Sequence, residues 1–208
     1  MDRNAYGKMD YTLCLLSAAA NGKQQGCIIN SFHQATSSRP PKFTITVNQD
    51  NETCKAVTSA NSFCVTLLSA DCPEEIVNAF GYKSGRAGDK FASYDVQLDA
   101  AGNPYLKEHM LSRVSCRVID KIEIGNFILF VGEATEAEVF SDGSVLTLEG
   151  LASRGKSAPP QATVYRTVAM NQYRCTVCGY IHEAEFLKPD FRCPVCNAPA
   201  EKFVLIEP

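Results

Sequence analysis

Four cysteines near the C-terminal end of the chain form two Cys-x-x-Cys pairs, Cys175/Cys178 and Cys193/Cys196, with fourteen residues between the pairs. A tight turn lets both sulfurs of such a pair face one ion, and a second turn supplies the other half of a tetrahedron. Two pairs at this spacing predict a site in which four thiolates hold one metal ion.

Each pair is followed by a residue type that readily adopts positive φ, Gly179 after the first pair and Asn197 after the second. A turn of this kind directs backbone N–H groups toward the sulfurs. The resulting N–H···S bonds spread the thiolate charge and raise the reduction potential of the metal. We therefore expect such bonds at both turns.

The run YRCTVCGYIHE, followed by DFRCPVCNAPAEKF, resembles the rubredoxin family, and in particular the shortened rubredoxin-like module at the end of rubrerythrins. The resemblance implies that the four cysteines are iron ligands. It also implies a small surrounding core made of Tyr173, Gly179, Tyr180, Phe191, Pro194 and Phe203. The chain departs from free-standing rubredoxins in its shorter loop between the pairs, its lack of Trp, and Asn197 where Gly is usual.

A zinc ribbon is the main alternative, because it uses the same ligands at a similar spacing only to hold a fold together. Disulfides fit less well, because other cysteines are scattered along a chain without an export signal, which indicates a reducing compartment. His182 lies between the pairs. Four thiolates already complete a tetrahedral site, so His182 is predicted to lie at the surface.

The length of 208 residues suits one ordinary domain and a small appendage. A metal module of about thirty-five residues cannot bury enough apolar surface to fold without its ion, so the remaining chain must be a separate folding unit. The net charge of −3, with both signs interspersed, provides no basic stripe and no polybasic patch. We therefore predict no nucleic-acid partner and no membrane partner.

The apolar stretch Tyr11–Ala20 is too short to span a bilayer, lacks a clear basic leader and begins with strand-like alternation. The small residues at its end, Ala18–Ala20, leave a signal peptide as an alternative. We expect a cytoplasmic protein.

Most ordered segments of the larger domain are predicted to be strands, because they are rich in Val, Ile, Thr and Phe and bounded by Gly, Pro, Asn or Ser. The predicted strands are Tyr11–Ser17, Gly26–Phe32, Phe43–Val47, Phe63–Leu68, Arg113–Ile119 and Phe127–Phe140. Strands this numerous indicate a mainly β fold, either a barrel or a sandwich.

Two helices are predicted among the strands, Asn51–Ala60 and Cys72–Phe80. Asp71 is the expected N-cap of the second helix, since Glu74 follows it as in a capping box. Gly81 should end that helix.

Domain boundaries follow from the polar, proline-containing run Ser153–Pro160, which is typical of a linker. We predict a large domain over residues 1–155, a linker over 156–171 and the metal module over 172–208. Val164–Val168 is a possible connecting strand within the linker.

The larger domain shows no hydrolytic or acid–base motif, and its two histidines, His33 and His109, stand alone. Gly81, Gly85 and Gly88 do not have the spacing of a dinucleotide-binding Gly-x-Gly-x-x-Gly motif. The residues by themselves therefore indicate a ligand-binding barrel and leave the ligand open.

Five segments of this domain, in order, resemble the flavin reductase family, which has an FMN-binding split β-barrel and is usually dimeric. They are Gly26-Cys-Ile-Ile-Asn-Ser-Phe-His, Ser37-Ser-Arg-Pro-Pro-Lys-Phe-Thr-Ile-Thr-Val, Asn51-Glu-Thr-Cys-Lys, Asp89-Lys-Phe and Phe130-Val-Gly-Glu-Ala. The similarity covers roughly residues 8 to 150. It implies an FMN-binding split β-barrel with a few helices and a likeness to homodimers.

Candidate flavin-binding residues follow from this resemblance and from the donors that each segment offers. The ring is expected to lie against Gly26, Cys27, Ile28, Ile29, Asn30, Ser31, Ser37, Ser38 and Pro40. The phosphate is expected near the N-terminus of the first predicted helix, at Asn48, Asn51, Thr53 and Lys55.

Three qualifications belong to this candidate set. Plain helix capping is an equal alternative for Asn51 and Thr53. Cys27 is expected to serve packing rather than redox chemistry, because buried free cysteines usually behave as small apolar residues. Lys90 and Phe91 match the family's loop near the flavin and are second-tier candidates.

A flavin accepts two electrons as hydride and releases them singly, whereas a four-thiolate iron carries one electron. The pair predicts an electron converter: NADH or NADPH reduces FMN, FMN reduces the iron, and the iron reduces another redox protein. The combination resembles high-molecular-weight rubredoxins, and by analogy the acceptor is a flavodiiron protein that reduces O₂ or NO. The alternatives are an NAD(P)H-dependent reductase of free flavin or ferric iron, and a non-enzymatic zinc-ribbon binding module.

Overall fold

The computed structural model describes residues 3–164, 171–184 and 187–206. The chain divides into two compact units, residues 1–164 and 165–208. Each unit is built around a separate antiparallel sheet. Within the described ranges, no helix is long and apolar enough to cross a membrane.

The larger unit contains nine strands. In chain order they are β1 (Cys14–Ala20), β2 (Lys23–Ile29), β3 (His33–Gln34), β4 (Lys42–Asn48), β5 (Ser62–Leu68), β6 (Gln97–Leu98), β7 (Pro104–Tyr105), β8 (Met110–Ile124) and β9 (Phe127–Val139). Seven of them form one antiparallel sheet in the order β2-β1-β5-β8-β9-β4-β3, and β6 pairs with β7. The six predicted strands are present as β1, β2, β4, β5, β8 and β9. β8 and β9 form a hairpin, in which β8 extends beyond the predicted strand at both ends.

Three helices accompany the sheet: α1 (Glu52–Ala60), α2 (Glu74–Val77) and α3 (Leu148–Ser153). The first prediction is confirmed, because Asn51 accepts a hydrogen bond from the N–H of Thr53 and caps α1. The prediction that Asp71 caps the second helix is wrong. That helix begins after Pro73 without a side-chain cap, and Cys72 is still in a turn that closes on the carbonyl of Ser69.

The strand β1 is buried on both faces of the sheet. Leu16 and Ala18 lie in a core cluster with α1, whereas Leu13 and Leu15 belong to a second cluster with residues of α2. Successive side chains of a strand point to opposite faces, so burial of both faces favours apolar residues at almost every position. This explains the mainly apolar composition of β1, whose one polar residue, Ser17, is buried with its hydroxyl donating to the carbonyls of Cys64 and Pro104.

The α2 helix continues into a π-helical turn, Asn78–Tyr82, that packs against β2. Phe80 of this turn and Phe91 both press on Gly26 of β2, where a Cβ atom would lie only 2.8 Å from Cζ of Phe91. Gly26 is therefore required by packing.

The segment predicted as a linker, residues 156–171, is divided by the structure. Residues 156–164 belong to the larger unit, and Pro159 is buried there. The possible strand Val164–Val168 lies almost entirely outside the described residues.

The smaller unit contains a three-stranded antiparallel sheet. Its strands are β10 (Asn171–Cys175), β11 (Ile181–Ala184) and β12 (Phe203–Ile206), with β10 in the centre. Among the described residues of this unit the buried ones are few, namely Cys175, Cys193, Ala198 and Phe203. So small a core needs a metal to be stable.

Candidate functional site

The four cysteines of the smaller unit converge on one point. The Sγ atoms of Cys175, Cys178, Cys193 and Cys196 all lie within 4.8 Å of one another. Two of the separations are 3.7 Å, from Cys175 to Cys196, and 3.5 Å, from Cys178 to Cys193. A tetrahedron with metal–sulfur bonds of about 2.3 Å requires sulfurs about 3.8 Å apart, so the arrangement fits a single four-thiolate ion.

The two Cys-x-x-Cys turns have the same backbone design. Gly179 and Asn197 both have positive φ, of 78° and 59°. Their N–H groups donate to the carbonyls of Cys175 and Cys193 at 2.9 and 2.8 Å. This geometry turns the chain back on itself directly after each pair, as the residue types predicted.

Backbone N–H groups face the sulfurs of Cys175 and Cys193. They belong to the residues within each Cys-x-x-Cys turn and not to Gly179 or Asn197, which follow the turns. Burial acts to raise the pKa of the Cys193 thiol, but the N–H groups of Cys196 and Val195 outweigh it and lower that pKa to about 7. The pKa of Cys175 is lowered in the same way, against its burial, by the N–H groups of Cys178 and Val177. Cys175 and Cys193, the first cysteine of each pair, are therefore the more readily ionised. At Cys178 and Cys196 the N–H groups of Tyr180 and Ala198 act to lower the pKa, but desolvation and hydrogen bonds with the other cysteines outweigh them and raise it.

One side of the cluster faces solvent. Cys178 is exposed, and the side chains of Val177 and Val195, which occupy equivalent positions in the two turns, are 62% and 68% exposed. His182 stacks on Phe191 with ring centroids 4.0 Å apart and is not part of the sulfur cluster.

A cavity of about 170 Å³ opens in the larger unit between β2, the N-terminus of α1 and the segment after α2. It is lined by Cys27, Ile28, Asp50, Asn51, Glu52, Phe80, Gly81, Tyr82, Lys83, Ser84, Gly85, Lys90, Pro159, Pro160 and Gln161. A second cavity of about 220 Å³ shares Lys83, Ser84 and Lys90 with it. A cofactor pocket usually measures roughly 300–1,000 Å³, so a flavin here would extend beyond the first cavity.

Four of the predicted flavin residues line the first cavity, namely Cys27, Ile28, Asn51 and Lys90. The Lys90 ammonium donates to the carbonyl of Gly26 at 3.0 Å, and burial lowers its pKa. Burial raises the pKa of Cys27, which keeps the thiol protonated at neutral pH.

The other predicted residues lie elsewhere. Gly26, Ile29 and Phe91 are packed in the cores, and the Ser31 hydroxyl donates to the carbonyl of Thr46. Thr53 is buried, and Lys55 is exposed and ion-paired with Glu52. The exposed loop between β3 and β4 holds Ser37, Ser38 and Pro40, and Asn48 accepts from the N–H of Asp50. The structure does not bring these residues to the lining of this cavity.

Two groups of lining residues were not singled out from the sequence. Tyr82, Lys83 and Ser84 fall in the loop that the family resemblance placed near the ring, without individual assignment. Pro159–Gln161 fell in the predicted linker. No local signal distinguishes a proline pair that packs on a pocket from one that keeps a linker extended.

Asn30 provides a test of whether this region fits a flavin. Its side chain is 2% exposed, and Oδ1 accepts hydrogen bonds from the N–H and the hydroxyl of Thr163 at 2.9 and 3.0 Å. Among the side chains that the structure describes, its Nδ2 is the only buried N or O atom without a hydrogen-bond partner. A buried donor without a partner costs about 1–3 kcal/mol, and the flavin ring offers acceptor atoms that can satisfy it.

One carboxylate at the rim of the cavity, that of Glu52, is compensated by cations. The Glu52 carboxylate is bound by Lys55 at 2.7 Å and by Arg86 at 3.0 Å. Hydrogen bonds from these two cations, Lys55 first, lower the pKa of Glu52. Because the one acidic residue of the first turn of α1 is paired with two cations, it presents little net repulsion to an anionic group at this helix terminus.

Two family models match the chain. The family described as "Flavin reductase like domain" matches residues 6–151, and the one described as "Rubrerythrin, rubredoxin-like domain" matches residues 173–204. The fold class predicted from the sequence, a mainly β split barrel with a small rubredoxin-like module, is thereby confirmed.

Two curated relatives cover most of the chain. A high molecular weight rubredoxin of Moorella thermoacetica is 26% identical over 98% of this chain and 99% of its own length, which confirms the predicted resemblance. A ferric-chelate reductase (NAD(P)H) of Archaeoglobus fulgidus is 33% identical over 79% of this chain and 98% of its own length.

Among solved structures, the Streptomyces globisporus C-1027 NADH:FAD oxidoreductase SgcE6 matches with a TM-score of 0.62 at 21% identity. The match covers 70% of this chain and 85% of that one. At this identity the likeness shows the fold alone.

Proposed function

Because this chain belongs to the flavin reductase-like family and ends in a rubredoxin-like domain, we propose that it passes electrons from NADH or NADPH through FMN and a four-cysteine iron to another redox protein. The chain is a flavin- and iron-dependent electron-transfer oxidoreductase. The observation that carries the finer proposal is the convergence of four Sγ atoms within 4.8 Å in a chain whose remainder is flavin reductase-like.

The two groups supply complementary chemistry, since a flavin exchanges electrons in pairs or singly and a four-thiolate iron exchanges one. The protein must hold each group and control its surroundings. Cys175, Cys178, Cys193 and Cys196 would hold the iron. Backbone N–H groups directed at the sulfurs of Cys175 and Cys193 stabilise thiolate charge.

For the flavin we propose Asn30, Asn51 and Lys90 as the principal contacts. Asn30 supplies a buried donor, and Lys90 supplies a cation at the cavity wall. The N-terminus of α1, capped by Asn51 and flanked by Lys55 and Arg86, suits a phosphate. The remaining residues predicted from the sequence stay predictions.

The acceptor is proposed to be a redox protein that docks at the exposed side of the iron site. Val177 and Val195 provide apolar contact there, and exposed Cys178 shortens the path to the metal. A flavodiiron protein is proposed as this acceptor by analogy with high-molecular-weight rubredoxins.

A cytoplasmic homodimer is also proposed. The end of β8 exposes Ile119, Ile122 and Ile124 at 39%, 51% and 51%. Burying isoleucines between two copies would remove this apolar surface from water, which supports a dimer formed through the larger unit.

A second candidate function is the reduction of free flavin or ferric iron by NAD(P)H. The 33% identity to a ferric-chelate reductase, of which this chain covers 98%, favours it. In this case the larger unit would act alone, and the iron module would be a side acceptor.

An anaerobic visible spectrum of protein reconstituted with FMN and iron tests the proposal. We expect NADH or NADPH to bleach the flavin band and the ferric-thiolate band together. In Cys178→Ser the ferric-thiolate band should be lost or shifted while flavin bleaching persists. Thr176→Ser is the matched control: it lies in the same turn and keeps the hydroxyl that donates to the carbonyl of Lys202.

Three results contradict the proposal. Flavin bleaching with a persistent iron band supports the ferric or free-flavin reductase. A protein that binds zinc but forms no ferric-thiolate band under iron-replete conditions supports a zinc ribbon. A protein that binds no flavin removes the basis of both electron-transfer functions.

A further inference from the structure

The segment between the two redox domains begins on the wall of the cavity. We call residues 157–163 the connector. Pro159, Pro160 and Gln161 line the cavity, together with β2 and the N-terminal end of α1. The sequence suggested a spacer here, and the structure instead places the connector on the wall of a cavity.

Contacts at four points along its length hold the connector. At one end, the Tyr82 hydroxyl donates to the carbonyl of Ser157. In the middle, Pro159 packs on Gly81: a Cβ atom at Gly81 would lie 3.4 Å from Cγ of Pro159 and 3.5 Å from Cδ1 of Ile28. Gln161 then accepts a hydrogen bond from Nδ2 of Asn51 at 2.8 Å.

The fourth point, at Thr163, fixes the orientation of the Asn30 side chain, which we propose as a flavin contact. Thr163 donates twice to Oδ1 of Asn30, from its backbone N–H at 2.9 Å and from its hydroxyl at 3.0 Å. A backbone N–H can only donate, so the amide oxygen of Asn30 must face Thr163. The Nδ2 group must then point away from Thr163, and it has no partner among the described residues.

This unsatisfied donor decides between two roles for the connector. If the connector simply occupied the place of the ligand, it would be expected to satisfy the polar groups of the site. Asn30 does not itself line the cavity, but it lies two residues beyond Ile28, which does, and its buried donor stays open beside the connector. An acceptor atom of a ligand that binds with the connector in place completes the hydrogen bonding.

We propose that the connector is a wall of the flavin site, and that Thr163 is a positioning residue that presents Nδ2 of Asn30 to an acceptor atom of the flavin. This rests on the proposed flavin function. Flavin and connector then both stabilise the position in which the connector packs on the cavity. Flavin binding therefore holds the connector, which leads on to the iron module, in that position.

Titration of FMN into apoprotein, followed by quenching of flavin fluorescence, tests the proposal. Thr163→Val removes the hydroxyl donor and keeps the backbone donor. The loss of one of two hydrogen bonds should weaken FMN binding about 3- to 10-fold. Thr163→Ser retains the donor and should restore the wild-type affinity.

A double-mutant cycle separates positioning from general destabilisation. If Thr163 acts through Asn30, then Thr163→Val should have no further effect on FMN affinity in an Asn30→Ala background. Should Asn30→Ala fail to fold, hydrogen exchange provides the second test. In wild-type protein, FMN should slow exchange of the Thr163 amide, which donates to Asn30.

The outcomes distinguish failure of this inference from failure of the proposed function. Wild-type protein that binds no FMN contradicts the proposed function. Wild-type protein that binds FMN while Thr163→Val binds it equally well refutes the role of Thr163. Tighter binding by Thr163→Val, or faster exchange of the Thr163 amide with FMN, would mean that flavin displaces the connector, and it would overturn the proposal.

Discussion

Replacing Gly132 with Ala tests whether a motif that resembles flavin reductases serves packing or cofactor binding. Gly132 lies in β9, within the Phe130-Val-Gly-Glu-Ala segment. A Cβ atom there would lie 2.6 Å from Cζ of Phe63 and 2.7 Å from Cβ of Cys116. Both neighbours are buried in the core, at 0% and 2% exposure.

The backbone around Gly132 cannot move aside easily, because this residue pairs with Phe43 of β4 and Val118 of β8. Forcing one methyl group into a packed core costs about 1–3 kcal/mol. Since three contacts, two with the Phe63 ring and one with the rigid Cβ of Cys116, fall below 3.0 Å, we expect about 2–3 kcal/mol. For a chain of this size the melting temperature should fall by roughly 5–10 °C.

The assay is urea unfolding of the larger unit followed by far-ultraviolet circular dichroism. Gly150→Ala is the matched control: its Cβ would meet no atom closer than 3.4 Å, and it lies in α3. Ala is the better helix former, so this control should be neutral or stabilising by up to about 1 kcal/mol. In a double-mutant cycle, Phe63→Leu should relieve part of the cost of Gly132→Ala.

The reasoning is refuted if Gly132→Ala changes stability no more than Gly150→Ala does. It is also refuted if Gly132→Ala keeps its stability but loses FMN affinity, since this would place the motif in the cofactor site.

Two further predictions concern the metal turns and the acid limb of stability. Asn197→Val should weaken metal retention against a chelator roughly tenfold, because a β-branched residue at φ of 59° costs about 1–2 kcal/mol. The control Asn197→Gly should retain the metal. Equal retention by both variants would contradict this prediction. Hydrogen bonds from Lys107, at 2.9 Å, and from Arg113 lower the pKa of Glu138 below its ordinary 4.5. A lowered carboxylate pKa contributes stability above the unfolded value, and this contribution is lost as pH falls through the folded value. Glu138→Gln should therefore flatten the loss of stability below about pH 4.5, as measured by unfolding at a series of pH values; parallel curves for variant and wild type would refute it.

Some features of the fold were predictable because they depend on short stretches of chain. Helix capping by Asn51 was an equal alternative to phosphate binding in the sequence, and the structure shows the cap, which joins atoms two residues apart. Asp71 had the additional signature of a capping box with Glu74 and was wrong, because that helix begins after Pro73 from a turn already closed by Ser69 and Cys72. A local capping pattern therefore predicts a helix start only where the neighbouring residues do not favour a different backbone conformation.

The proposed flavin site shows where prediction from local patterns ends. The segments that resemble flavin reductases gave the order of its elements, but only Cys27, Ile28, Asn51 and Lys90 of the predicted residues line the cavity. Whether a strand residue faces a cavity or the core depends on which elements cover each face of the sheet. That information is not contained in any one segment.

The amino-acid sequence by itself predicted which four cysteines form the sulfur cluster, because the two sulfurs of a Cys-x-x-Cys turn are brought together by four consecutive residues. Only the tertiary structure placed the connector on the wall of the cavity. Asn30 and Thr163 are far apart in the chain, and so are Asn51 and Gln161. Their hydrogen bonds arise from the folding of distant segments onto one surface, and composition made this stretch look like a spacer.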